Sequence, residues 1–170
     1  GERLTQDTFK RYRASGGTVI LHFMKQEWID LGMQYPQTII ASDGMPYAPG
    51  AHPRSAGTYS RILGRYVREN QTLSLMAALA KMTLLPARRL EGIAPAMRGK
   101  GRVQVGADAD LSIFDPNRII DTATFEKDLS FSQGVEYVLV NGVFVVKKGK
   151  TVKGALPGRA VYGKFRRGPI

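Results

Sequence analysis

The chain reads as a parallel α/β unit that gives way, near Arg98, to a small antiparallel β unit. Three observations predict this. Two short runs, 18–23 and 38–41, are dense in β-branched and large apolar residues, and the second is apolar on both faces, as a strand buried in a parallel sheet must be. Each follows a segment with helical spacing, the alternation that a parallel sheet requires. Beyond Gly99, short apolar runs are separated by Gly, Asp and Pro. Between two of these runs sits Asn141-Gly142, a hairpin signal because a type I′ turn needs positive φ at both positions.

Taken in order, Leu4, Thr8, Phe9 and Tyr12 are spaced for an amphipathic helix that Gly16-Gly17 closes. Thr18 to Phe23 follows as a strand. Lys25 to Tyr35 has Trp28, Leu31 and Met33 available for packing, and Pro36 stops it as a helix. The second strand, Thr38 to Ala41, runs into Ser42-Asp43-Gly44, where Gly44 lets the chain turn sharply. Met45 to Thr58 is rich in Pro and Gly and too long for a simple connection, which marks it as a binding loop. Short helices are expected over Ser60 to Glu69, Ser74 to Met82 and Pro86 to Leu90. Strands are expected over Arg102 to Val105, Leu111 to Phe114, Val135 to Val140 and Val143 to Val146. The domains are therefore 1–98 and 99–170. Two parallel strands cannot make a stable open sheet, and a closed eight-stranded α/β barrel needs about 250 residues, so this chain is expected to be the end of something larger.

At 170 residues and 43% hydrophobic content the chain can bury a core. It has no cysteine, which excludes disulfides and thiolate metal ligands and fits a reducing compartment. No signal peptide opens it, and no apolar run approaches the roughly 20 residues of a membrane helix, so a soluble, cytoplasmic protein is expected. The formal net charge of +11 invites a nucleic-acid reading. The basic residues are scattered, however, in small clusters at Lys10, Arg11 and Arg13, at Arg88-Arg89, at Lys147-Lys148 and from Lys164 to Arg167, with no nucleic-acid motif among them. They read instead as a solvated surface or as a charge pattern balanced by sequence outside this chain.

Asp43 lies at the carboxyl end of a strand, where parallel sheets place catalysis. Arg54 follows eleven positions on, in His52-Pro53-Arg54, and the loop would carry both His52 and Arg54 over the strand end. Taken alone, Ser-Asp-Gly also suits a plain turn. His22, near the end of a strand, is a metal-ligand candidate without partners and otherwise a hydrogen-bonded wall residue. Asp108 and Asp110 resemble a paired-carboxylate site, but in a Gly-Ala-Asp-Ala-Asp-Leu turn they better serve to satisfy backbone amides. Arg65 and Arg68 read as surface arginines pairing with Glu69 or other acids. Tyr47 and Tyr59 flank the loop.

Ser42-Asp43-Gly44 with His52-Pro53-Arg54, Leu63-Gly64-Arg65-Tyr66-Val67-Arg68-Glu69, Met82-Thr83, Leu85-Pro86-Ala87, Gly106-Ala107-Asp108-Ala109-Asp110-Leu111 and Val140-Asn141-Gly142 together resemble the C-terminal part of N-acyl-D-amino-acid deacylases, the D-aminoacylases of the amidohydrolase superfamily. The resemblance covers nearly the whole chain. Its Gly-x-x-Ala-Asp-Leu and Asn-Gly elements are common across the superfamily, whereas the His-Pro-Arg loop and the helix after it are more specific to the deacylases. It implies the last units of a metal-dependent (β/α)8 TIM barrel followed by part of a small β-sandwich domain, and zinc-dependent hydrolysis of the amide in an N-acyl-D-amino acid. Asp43 would then be the catalytic proton carrier beside the metal and a metal contact itself. Metal-bound water would have its pKa lowered toward about 7. Arg54 would bind the substrate α-carboxylate through a bidentate fork, and His52 would help to position Arg54 or the substrate. The family's paired histidines are not in this sequence, whose only histidines are His22 and His52, so tight zinc binding by this chain alone is not expected. The implied partners are an N-acyl amino acid and the missing N-terminal part of the enzyme, with a homo-oligomer open. A cyclic-amide hydrolase of the hydantoinase or dihydropyrimidinase kind would share Asp43 but have less need of Arg54. A non-catalytic interaction module is the remaining alternative.

Overall fold

The computed structural model of the chain describes residues 2–16, 20–45 and 52–165. Helix α1, Gln6–Ser15, starts on a capping box: Thr8 N–H donates to Thr5 Oγ1 at 3.2 Å and Thr5 N–H to Thr8 Oγ1 at 2.7 Å. It ends at Gly16, whose φ is +78°. Helix α2, Gln26–Gln34, buries Met33 and packs Ile29 against the core. The Thr38 hydroxyl then ties back to Gly32 O at 2.7 Å.

The expected pair of parallel strands does not form among the described residues. Thr18 and Val19 lie outside them, and Ile20 to Phe23 and 38–41 join no sheet. A strand exists through its neighbour's ladder bonds, and these two segments make none to each other. Ile40 N–H instead donates to Lys81 O at 3.1 Å. The Lys81 side chain, 5% exposed, completes the tie by donating from Nζ to Tyr35 O at 2.5 Å and Thr38 O at 3.2 Å.

Helix α3, Arg54–Arg61, begins well before the expected Ser60. His52-Pro53 starts it: Pro53 supplies a helical φ of −52° and the first turn bonds back to His52 O and Pro53 O. It runs without a break into a π-helical segment, Ile62–Glu69, which ends with Asn70 N–H bonded five residues back to Arg65 O at 2.7 Å. Helix α4, Leu75–Met82, is capped by Ser74, and α5, Leu84–Leu90, leads to a short 3-10 helix, Pro95–Gly99.

The second half forms one antiparallel sheet in the order β1-β2-β3-β4, with β1 Leu111–Phe114, β2 Val135–Val140, β3 Val143–Lys147 and β4 Lys150–Thr151. Asn141 and Gly142 have φ of +48° and +79°, as the hairpin requires. The run 102–105 is not a strand. Val103 and Val105 are 88% and 103% exposed, because no strand or core among the described residues lies beside them to bury one face of their alternation.

Met33, Ile62, Leu63, Tyr66, Leu73 and Ala78 from the helical half form one core with Ile119, which lies between β1 and β2. The two halves meet there at unusually short range. A Cβ on Gly64 would lie 2.5 Å from Ile120 Cδ1 and 2.6 Å from Ile119 O, and one on Gly57 would lie 2.9 Å from Asp121 Cβ. Arginines on the same face close the contact. Arg68 donates to Ile119 O at 2.6 Å and Pro116 O at 3.3 Å, while Arg61 and Arg65 approach the Asp121 carboxylate at 3.0 and 3.7 Å. Arg65 and Arg68 do pair with acids as the sequence suggests, with Asp121 at 3.7 Å and Glu69 at 3.4 Å, and Arg68 adds a shorter bond to a carbonyl beside the core.

Gly64→Ala should therefore lower unfolding stability by about 1–3 kcal/mol, as overpacking does. Gly32→Ala, where an added Cβ meets nothing within 4 Å, should be neutral or gain up to about 1 kcal/mol. Urea unfolding of the two variants checks the contrast.

Candidate active site

The segment leading out of α2 passes over the start of α3. Gly44 permits the crossing, since a Cβ there would lie 2.9 Å from Ser55 Cα. Ser42 Oγ accepts from Gly44 N–H at 3.3 Å and Ser55 Oγ from Met45 N–H at 3.0 Å, which pins the crossing from both sides. Asp43 takes a left-handed φ of +47°, a conformation that Asp tolerates better than most residues. Its carboxylate thus comes to the N-terminal end of α3, where the helix dipole favours an anion.

Arg54, the first residue of α3, grips Asp43 twice. Its Nη2 lies 2.6 Å from Asp43 Oδ2, and its Nε donates to Asp43 O at 3.1 Å. The Asp43 side chain is 83% exposed and that of Arg54 45%, so the pair is open to solvent and to a ligand. His52 completes the turn: its Nδ1 accepts the Arg54 backbone N–H at 3.1 Å, satisfying one of the otherwise unpaired donors of the helix start. That bond requires an unprotonated Nδ1. The His52 pKa is lowered from its usual value, first by burial and then by the charges of Arg54 and His22.

The structure thus brings Asp43, Arg54 and His52 together. Phe125, from the connection between β1 and β2, joins them. Its ring centroid lies 5.1 Å from that of His22 and 5.1 Å from that of His52, edge-on to both. Tyr59 lies on α3 and is about half exposed, and Tyr47 lies outside the described residues. Asp110 and Asp108 stand apart from this site. Asp110 Oδ1 accepts from Asn141 N–H at 2.7 Å and both carboxylates pair with Lys100, at 2.5 and 3.2 Å, so the two hold the hairpin and the preceding turn.

Sequence reasoning did not find Phe125, Asp121 or Lys81. For Asp121 a signal existed in the spacing of Gly57, Arg61, Gly64 and Arg68. For Phe125 none did, because its contacts are remote in sequence and its neighbours carry no periodic pattern.

The amidohydrolase family model matches residues 26–146, which include Asp43, His52, Arg54 and the sheet as far as β3. The chain belongs to the amidohydrolase family. An N-acyl-D-glutamate deacylase of Alcaligenes xylosoxydans xylosoxydans is 46% identical to it over 112 residues, which are 66% of this chain and 22% of that enzyme. A D-aminoacylase structure determined to define the role of its binuclear metal centre superposes with a TM-score of 0.75 at 34% identity, covering 82% of this chain and 28% of that one. The N-acyl-D-glutamate deacylase of Bordetella bronchiseptica, crystallised with zinc and a phosphonate mimic of the tetrahedral intermediate, gives 0.65 at 41% identity, covering 72% and 25%. The chain spans about a quarter of the length of the relatives it matches.

Metal centres in these amidohydrolase relatives raise the question of whether the residues here could form one. Among the described residues no group of three or more His, Cys, Asp or Glu side chains is placed to hold a metal ion. Asp43 offers one carboxylate, already paired with Arg54, and both imidazoles lie against Phe125. These residues alone do not fit a metal centre.

The lowered His52 pKa gives a signed pH prediction. The folded state holds His52 neutral more firmly than the unfolded chain, so its contribution is fully present above about pH 6.5 and is lost as the pH falls through the lower folded value. Hydrogen exchange at the Arg54 amide, corrected for intrinsic rates, should quicken over that window. In His52→Ala the step should vanish.

Proposed function

We propose that the chain is the C-terminal part of an enzyme that hydrolyses the amide bond of N-acyl-D-amino acids. Residues 1–98 would contribute the last units of its (β/α)8 barrel and residues 99–170 most of its small β domain. Asp43 is the proton carrier of the reaction and Arg54 the binder of the substrate α-carboxylate. The observation that carries the reading is the ion pair between them, held on the first turn of α3. A guanidinium that already grips one carboxylate has the fork chemistry for an incoming one. An α-carboxylate competing for Arg54 would free Asp43 Oδ2, and the carboxylate could then accept a proton and pass it to the departing amine. Substrate binding and release of the base would thus be a single exchange of partners. His52 supports the exchange by fixing the backbone of Arg54.

The similarity to two N-acyl-D-glutamate deacylases and a D-aminoacylase supports the substrate class. The ligands of any zinc centre besides Asp43 would come from outside this chain. No described helix is long and apolar enough to cross a membrane, and a chain without cysteine fits the cytoplasmic setting proposed for it.

In the full-length enzyme, Asp43→Asn should lower kcat by about 10²–10⁴-fold with little change in KM, the range expected for losing a general acid–base group. Arg54→Ala should cost about 10–100-fold in kcat/KM on N-acyl-D-amino acids, the worth of a charge-assisted bond to carboxylate, and nothing on N-acyl amines, which lack that group. Steady-state kinetics on both substrate types checks this. Equal losses on the two, or full activity of Asp43→Asn, would contradict the assignment.

A further inference from the structure

Between β1 and β2 the chain makes a long excursion, residues 115–134, that serves the sheet hardly at all. Its base is fixed to the helices: Ile119 is in the core, and Asp121 sits at Gly57 and pairs with Arg61. Its tip is fixed to itself. Thr124 N–H donates to Lys127 O at 3.1 Å, Lys127 N–H to Thr124 Oγ1 at 3.1 Å, and Thr122 Oγ1 to Phe131 O at 2.7 Å. Phe125 is held in that tip with its ring against His52 and His22, and Ser132 Oγ reaches back to Ala56 O on α3 at 3.4 Å.

We propose that Phe125 is a positioning residue for the carboxylate-binding arginine, acting through His52, an inference that rests on the role given to Arg54 above. The contacts close a ring. Arg54 N–H bonds to His52, His52 abuts Phe125, and the turn carrying Phe125 leads back through Asp121 to Arg61, seven residues along the helix that Arg54 begins. Both ends of the excursion are thus referenced to α3. Without the ring of Phe125, the imidazole can turn about its own side-chain bonds, Nδ1 leaves the Arg54 amide, and the first turn that aims the guanidinium loosens. Phe125 is 46% exposed, so filling the core is not what holds it there. Packing edge-on against two imidazoles is a directional role, and a small apolar residue could not fill it.

The test uses the full-length enzyme with Phe125→Ala, Arg54→Ala, the double variant, and Phe125→Tyr as the conservative control. Exchange at the Arg54 amide should quicken about tenfold in Phe125→Ala, near the upper end of what one edge-to-face contact supports, while amides of the β2–β3 hairpin keep their rates. KM for an N-acyl-D-amino acid should rise by a similar factor with kcat within about threefold, which marks lost binding and not lost chemistry. Phe125→Tyr should restore both. In the Arg54→Ala background, Phe125→Ala should add nothing further to KM. Unchanged exchange at Arg54, a loss confined to kcat, or effects of the two single variants that simply multiply would each overturn the proposal. If the parent hydrolyses no N-acyl-D-amino acid, the substrate reading fails, and the exchange rate alone decides the link from Phe125 to Arg54: quickening upholds it and no change refutes it.

Discussion

At Gly64 the helical backbone and the chain entering the β1–β2 excursion come so close that a single methyl group has no room, and the rest of the structure follows from that approach. It places Ile119 in the core of the helical half, where it is only 2% exposed. It also sets the Ile119 and Pro116 carbonyls within reach of Arg68, which satisfies acceptors that the close packing removes from water. At the other glycine, Gly57, it buries Asp121, whose charge is tolerable there because Arg61 and Arg65 flank it. One face of one continuous helix thus carries two notches and three cations, and a segment of the β unit fills the notches and answers the cations.

That face was partly legible in the sequence. Gly57, Arg61, Gly64 and Arg68 recur at intervals of four, three and four, which puts them within about 60° of one another on an ideal helix. Glycine in a helix interior costs stability, so two of them alternating with arginines on one stripe imply a close neighbour. Nothing local says which neighbour, so on sequence alone Arg68 reads as a surface group. The same division runs through the fold. Thr5, Ser74, Gly16 and Asn141-Gly142 act on groups within a few residues, and each does what its type dictates. The strands at 18–23 and 38–41 and the run 102–105 depended on distant ladder partners, and pattern alone could not supply those.

In the site, sequence pointed to Asp43, Arg54 and His52 by their positions around a turn and a loop, with the family resemblance assigning their chemistry. The direct grip of Arg54 on Asp43 was not visible there, because it depends on α3 beginning at Arg54 and not at Ser60. His52-Pro53 was the available signal, as proline at a helix start is pre-organised for its φ. His22 and His52, far apart in sequence, meet the same phenylalanine, and only the three-dimensional path of the excursion reveals it.

If this packing holds the arginine-bearing helix against the β unit, Arg61 and Asp121 must be energetically coupled across the contact. A double-mutant cycle by urea unfolding, with Arg61→Ala, Asp121→Ala and the double variant, measures that coupling directly. The account predicts an interaction energy of at least about 1 kcal/mol, whereas additivity within about 0.5 kcal/mol would contradict it.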